Sequence, residues 1–192
     1  MVHISVTGTR GGIGCSTLAW AIAREIQAFA LLDYSDKQGV RWIIGEPEID
    51  FTWPKTLNSG ADNKDFLKLL SHAKTVEGVA ILSGGEPIKF ENCQNEAVMI
   101  FDGAVSADLQ IKLTTNALQD IQNDTAILEE EILVLRKVHG GIPVSLINSN
   151  FDYVYQSEFS VGKSLANGLG LHSKSKVQQV ARQICADISA SI

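Results

Sequence analysis

Residues His3–Asp33 read HISVTGTRGGIGCSTLAWAIAREIQAFALLD. Ile4 and Val6 lie in a β-prone run, which predicts a strand. Gly8, Gly11, Gly12 and Gly14 follow, and without a Cβ such a backbone turns tightly and approaches a ligand closely. Ser16–Gln27 carries Leu18, Ala19, Ile22, Ala23 and Ile26 at helical spacing and predicts a helix. A second apolar run, Phe29–Leu32, ends on Asp33. A glycine turn feeding a helix N-terminus offers backbone N–H groups and a positive dipole end to an anion, usually a phosphate.

The rest of the chain bounds what this turn serves. Its 192 residues suit one domain with a real core, expected to span residues 1–192. The hydrophobic fraction of 45% is that of a globular protein. A net charge of −6 without a long basic run argues against an autonomous nucleic-acid binder. Cys15, Cys93 and Cys185 are widely spaced and form no CxxC, so neither a disulfide frame nor a zinc site is expected. No apolar run reaches the roughly 18 residues of a transmembrane helix. The sequence opens into a strand without a basic, apolar leader. The cytoplasm is the expected compartment.

Further along, apolar runs alternate with helical stretches. Lys37–Ile44 predicts a short helix stopped by Gly45-Glu46-Pro47. Asp65–Lys74 predicts a helix with Phe66, Leu69 and Leu70 on one face. Val79–Leu82, Ala97–Phe101 (ending on Asp102) and Leu109–Leu113 predict buried strands. Thr114 or Thr115 is placed to cap a helix from Asn116 to about Lys137. Pro143–Ile147 predicts a strand ending on Asn148, and Tyr153–Tyr155 a short one. Two helices close the chain, about Glu158–Asn167 and Ser175–Ser189. The second places Val177, Val180, Ala181, Ile184 and Ile188 on one face, for packing on the sheet rather than on a membrane. This alternation gives an α/β fold, a mostly parallel sheet with helices on both faces. Such sheets bind ligands at the carboxyl ends of their strands. Gly11–Ser16, Asp33, Asp36, Asp102 and Asn148 all fall there.

Two motifs overlap in the glycine turn. Thr7, Gly8, Gly12, Ile13 and Gly14 meet TGxxxGIG, which resembles the cofactor turn of short-chain dehydrogenases. That family's Tyr-x-x-x-Lys pair is approached only by Phe159 and Lys163, and phenylalanine has no hydroxyl to act as an acid. Asn116-Ala117 is followed by Leu118 instead of glycine. The second motif is Arg10–Thr17, RGGIGCST, which resembles the deviant P-loop of the ParA/MinD family, roughly K-G-G-x-G-K-[ST]-T. Arg10 stands at that family's signature lysine and Cys15 at its P-loop lysine. Trp53-Pro54, the stretch from Gly78 to Pro87 (GVAILSGGEP), Val98–Asp102 (VMIFD) and Asn167-Gly168-Leu169 with Ser173–Lys176 resemble the CpaE/TadZ-like branch of the family.

The resemblance implies a P-loop NTPase-like fold of ParA/MinD type and ATP or ADP with Mg²⁺ as ligand. Arg10, Gly11, Gly12, Ile13, Gly14, Cys15, Ser16 and Thr17 would form the phosphate loop, and Asn148 would contact the adenine. Ser16 would present its hydroxyl to Mg²⁺, with Asp102 behind it. Asp33 and Asp36 would position water and switch the site, though Ser35 stands where the family carries its second aspartate. Each acid can instead cap a neighbouring helix. Arg10 would reach a nucleotide across a homodimer or pair with a carboxylate. Cys15 is the decisive departure, because a neutral thiol cannot hold β- and γ-phosphates as lysine does. That loss is worth on the order of a few kcal/mol. The thiol is either reactive at its helix N-terminus or a small residue in a tight place. The implied function is a positioning or scaffold protein with slow or lost ATP hydrolysis. It would serve pilus or secretion assembly or septum placement, with protein partners at the membrane or cell pole. The alternative is an active ATPase in which Arg10 replaces the lysine.

Overall fold

The computed structural model describes residues 2–34, 39–45, 70, 73–83, 97–123, 131–147, 150–167 and 170–191. In chain order the elements are β1 (Val2–Gly8), α1 (Cys15–Glu25), β2 (Ala30–Asp33), α2 (Gly39–Ile43), β3 (Lys74–Val76) and β4 (Val79–Ser83). Then follow β5 (Val98–Asp102), β6 (Leu109–Thr115), α3 (Leu118–Asn123), β7 (Glu131–Lys137), a 3-10 turn Val144–Leu146, β8 (Tyr153–Gln156), α4 (Phe159–Ala166) and α5 (Lys176–Ser191).

The strands form one sheet in the order β3-β4-β2-β5-β1-β6-β7-β8. Every pairing is parallel except that of β3 with β4. Side chains alternate across it, as the period of two requires. Ile4, Val6, Leu31, Ile81, Ile100 and Ile111 join the core shared with α1 and α5, while Ala30, Leu32, Leu82, Met99 and Phe101 form a cluster on the other face. The expected apolar face of α5 is buried: Val177, Val180, Ala181, Ile184 and Ile188 all lie in that shared core. Burial on both faces explains why β2 and β5 read as continuous apolar runs.

In this sheet β5 lies between β1 and β2. In the dinucleotide-binding order β2 is the direct neighbour of β1. The strand order thus separates the two readings of the glycine turn and goes against the dehydrogenase one.

Three predicted elements are corrected. The stretch Asn116–Lys137 is not one helix, because α3 ends at Asn123 and Glu131–Lys137 is the strand β7, paired in parallel with both β6 and β8. Leu133, Val134 and Leu135 are consecutively buried, which suits a strand covered on both faces. The expected strand Pro143–Ile147 is a 3-10 turn over Val144–Leu146 with no buried residue, and Leu146 is 74% exposed. β8 takes the place beside β7. Lys74, expected to end a helix, begins β3. Trp53-Pro54, residues 84–87, Cys93, Asp36 and Asn148 lie outside the described residues.

Candidate functional site

The carboxyl ends of β1, β2, β5, β6 and β7 meet around the glycine turn. Gly12 has φ +81° and Gly14 φ +110°, left-handed values that glycine adopts without strain. Gly14 is the N-cap of α1, with no side-chain cap and no acidic residue in the first helical turn. The helix therefore presents its positive end uncompensated by a carboxylate of its own. Ile13 anchors the loop by inserting into the core, 2% exposed. Gly8 is required beneath it: a Cβ there would lie 2.6 Å from Ile13 Cδ1 and would also collide with Cys15 Sγ.

Cys15 therefore turns back under the loop, and its thiol is pushed up to about 12, first by burial and then by the negative charge of Asp102. It is a small neutral group in a tight place, not an activated thiol. Arg10 takes the carboxylate role open to it. Its Nε donates to Asp120 Oδ1 at 2.5 Å, and Asp120 is fully buried in α3. The Thr115 hydroxyl donates to the other oxygen of Asp120.

Asp33 and Asp102 are register partners at the ends of β2 and β5. Asp33 Oδ2 accepts the Val40 amide at 2.9 Å, so this acid also fixes the start of α2. Asp102 is pushed up to about 7, first by burial and then by the charge of Asp33. The Ser16 hydroxyl donates to the Asp102 carboxylate and opposes that rise. Asp102 Oδ2 is buried without a hydrogen-bond partner among the described residues.

Beside the loop opens a cavity of about 180 Å³ lined by Gly12, Gly14, Thr17, Arg136, Tyr155 and Ser157, among others. Arg136 extends from the end of β7. Its Nη1 donates to the Ile13 carbonyl at 2.7 Å, and its Nε and Nη2 donate to Ser157 Oγ at 3.2 and 2.8 Å. A Cβ on Gly14 would lie 3.1 Å from Nη1, so the guanidinium rests against the α1 N-cap.

Solved structures share this architecture. MinD in the MinC:MinD cell division complex of Aquifex aeolicus superposes with TM-score 0.66 at 12% identity, covering 99% of this chain and 96% of that one. A putative plasmid partition protein of Borrelia burgdorferi bound to AMPPNP gives 0.66 at 12% identity, covering 100% and 99%. The chain has the fold of MinD and of this partition protein. The MinD cell division protein of Aquifex aeolicus solved separately gives 0.64 at 12% identity over 99% and 97%. No protein-family model matches the sequence, and no curated protein matches it.

On this MinD fold the structure gathers Arg10 to Thr17, Asp33 and Asp102 at one end of the sheet. Asp36 and Asn148 lie outside the described residues, and the strand expected to carry Asn148 is not formed. A Mg²⁺ ion fits the residues present. Mg²⁺ in proteins generally takes oxygen from one or two carboxylates, with water and phosphate completing its shell. The orphaned Asp102 Oδ2 beside the Ser16 hydroxyl offers such a donor. No cluster of three or more His, Cys, Asp or Glu forms among the described residues. No helix among them is long and apolar enough to cross a membrane.

Reading the sequence missed Arg136 and Asp120. Both sat inside the helix predicted over Asn116–Lys137. The available signal was the run Ile132–Leu135 followed at once by Arg136-Lys137, a buried strand with cations at its carboxyl end.

Proposed function

We propose that the chain is a ParA/MinD-like positioning or scaffold protein, a degenerate P-loop ATPase that binds ATP or ADP weakly and hydrolyses slowly or not at all. One observation carries this reading: the glycine turn keeps two glycines in left-handed conformation before α1, around a half-buried neutral thiol. The fold shared with MinD and with an AMPPNP-bound partition protein supports a nucleotide as the ligand. In this reading Gly11 to Thr17 wrap the phosphates. Ser16 and Asp102 hold Mg²⁺, which neutralises phosphate charge when bound. Asp33, with Asp36 near it in sequence, orders water. Asn148 stays the proposed adenine contact.

A solved relative captured with MinC supports protein partners, and a homodimer belongs to the same proposal. The sequence features of the CpaE/TadZ-like branch direct the role toward pilus or secretion assembly, or septum placement, at the pole or membrane. Residues 1–192 act as one cytoplasmic domain in this account.

The test is calorimetric titration with ATP and Mg²⁺, beside ADP and NADH, followed by a hydrolysis assay. ATP or ADP binding without NADH binding, and turnover far below that of a competent P-loop ATPase, is expected. Ordinary ATPase turnover would end the degenerate reading. In the rival reading Arg10 replaces the lysine, and Arg10→Ala abolishes turnover. The pair between Arg10 and buried Asp120 weighs against it.

A further inference from the structure

Positive charge gathers at the mouth of the loop from two directions. One source is the uncapped N-terminus of α1, with no acid in its first turn. The other is Arg136, whose guanidinium rests on that same N-cap. The carboxyl of Asp102 meets the Ser16 hydroxyl at that helix start, whereas the approach of Arg136 to it is of like sign and unfavourable until something negative lies between or beside them. Arg136 makes no ion pair among the described residues. Its partners are the neutral Ile13 carbonyl and Ser157 hydroxyl. Glu158 also lines the cavity, with its Oε2 accepting the Lys176 amide at 2.5 Å.

The donor count agrees. A guanidinium carries five N–H groups in a planar fork. Three donate to Ile13 and Ser157, which leaves one on Nη1 and one on Nη2. Arg136 lines the same cavity that Gly12 and Thr17 line from the loop side. The three protein bonds hold the fork in place, so little side-chain freedom is lost when an anion arrives.

We propose that Arg136, reaching from the end of β7 into this cavity, supplies the fixed positive charge of the phosphate loop and holds a phosphate group of the ligand there. The charge lost at Cys15 is thus replaced from a neighbouring strand instead of from the loop. This rests on the nucleotide reading above, and it assigns the residue that makes that site bind an anion.

The probes are inorganic pyrophosphate and ATP, titrated separately by calorimetry and by the rise in melting temperature. Wild type is expected to bind pyrophosphate, and Arg136→Gln to weaken it about 10- to 100-fold, the loss of a charge-assisted contact. Arg136→Lys recovers part of the affinity as a point charge. Arg182→Gln, which removes a half-exposed cation on α5, leaves it unchanged. Ser157→Ala keeps the charge and retains binding, whereas a purely structural strut predicts that it behaves as Arg136→Gln does. Should Arg136→Gln fail to fold, phenylglyoxal labelling of the wild type decides: pyrophosphate must protect Arg136 from modification. A wild type that does not bind pyrophosphate, an unaffected Arg136→Gln, or no protection overturns the inference. ATP binding that survives Arg136→Gln overturns it and leaves the nucleotide reading standing. Arg136-dependent pyrophosphate binding without ATP binding ends the nucleotide reading and leaves the anion site.

Discussion

Asp102 and Cys15 show how burial decides what a titratable side chain does. The Asp102 carboxyl, pushed up to about 7 from an ordinary 3.8, keeps a proton in the folded protein that the unfolded chain has released. Between about pH 4 and 7 the folded state therefore binds more protons, and stability falls as pH rises through that window. Asp102→Asn removes the charge and keeps the shape. It should melt several degrees above wild type at pH 8, a gain on the order of a few kcal/mol, and match it near pH 4. A melting difference that is equal at both pH values would remove the carboxylate as its cause. At Cys15 the same burial acts on a thiol. With Cys15 and Cys185 both pushed up to about 12, almost no thiolate exists at pH 7.5. Iodoacetamide at that pH should leave both unlabelled in the folded protein and label both in urea, as read by peptide mass spectrometry. Rapid labelling of folded Cys15 would revive the reactive-thiol reading. Gly8 is constrained by sterics instead: Gly8→Ala drives a methyl into Ile13 and Cys15, and displaces the loop it supports.

At the scale of elements, α1 and α5 are joined by a polar seam inside an apolar contact. Gln178 is fully buried, and its Nε2 donates to the Ala21 carbonyl at 3.2 Å and to Glu25 Oε2 at 3.0 Å. Arg24 donates to the Gln178 side-chain oxygen and to the Leu171 carbonyl. Gln178→Ala leaves a cavity and three polar groups short of a partner. It should lower stability by about 2–4 kcal/mol in urea unfolding, whereas exposed Gln179→Ala should change little. An equal effect of the two would mean that the seam contributes nothing. The helical spacing of Val177, Val180, Ala181 and Ile184 made the buried face of α5 legible, but not the burial of Gln178. A glutamine on the flank of an apolar stripe reads as solvent-facing until the partner helix is known. The same limit produced the error at β7. Leu128, Ile132 and Leu135 recur at helical intervals, and Glu129-Glu130-Glu131 reads as a solvated helix face. Only the partners on either side, β6 and β8, make Glu131–Lys137 a strand. Because Arg136 and Asp120 sat in that stretch, the cation on the cavity and the anion on Arg10 were hidden with it.

For the molecule as a whole, composition and alternation were enough for a mostly parallel α/β sheet, and the glycine turn pointed to the edge where the candidate site gathers. Strand order was not legible, because nothing local in Val98–Asp102 states that it inserts between β1 and β2. That insertion is the result of packing. β5 is buried on both faces and hydrogen-bonded on both sides, the most enclosed place a strand can take. The order makes a prediction about local stability, since amides at the centre of a sheet open only with the whole fold, and those at an edge open by fraying. Backbone exchange measured by mass spectrometry should be slowest in β1 and β5, where Ile4, Val6, Met99 and Ile100 are fully buried. It should be faster in β3 and β8, the two edges, whose outer hydrogen-bonding sides have no partner strand among the described residues. β7 decides between the observed fold and a helical 116–137 stretch. As an inner strand flanked by β6 and β8, Glu131–Lys137 should protect with β6, and its protection should fall if Tyr153–Gln156 is disrupted by Val154→Pro. A β7 indifferent to that proline, or edge strands protected like β1, would contradict the strand order and with it the placement of Arg136 on the glycine turn.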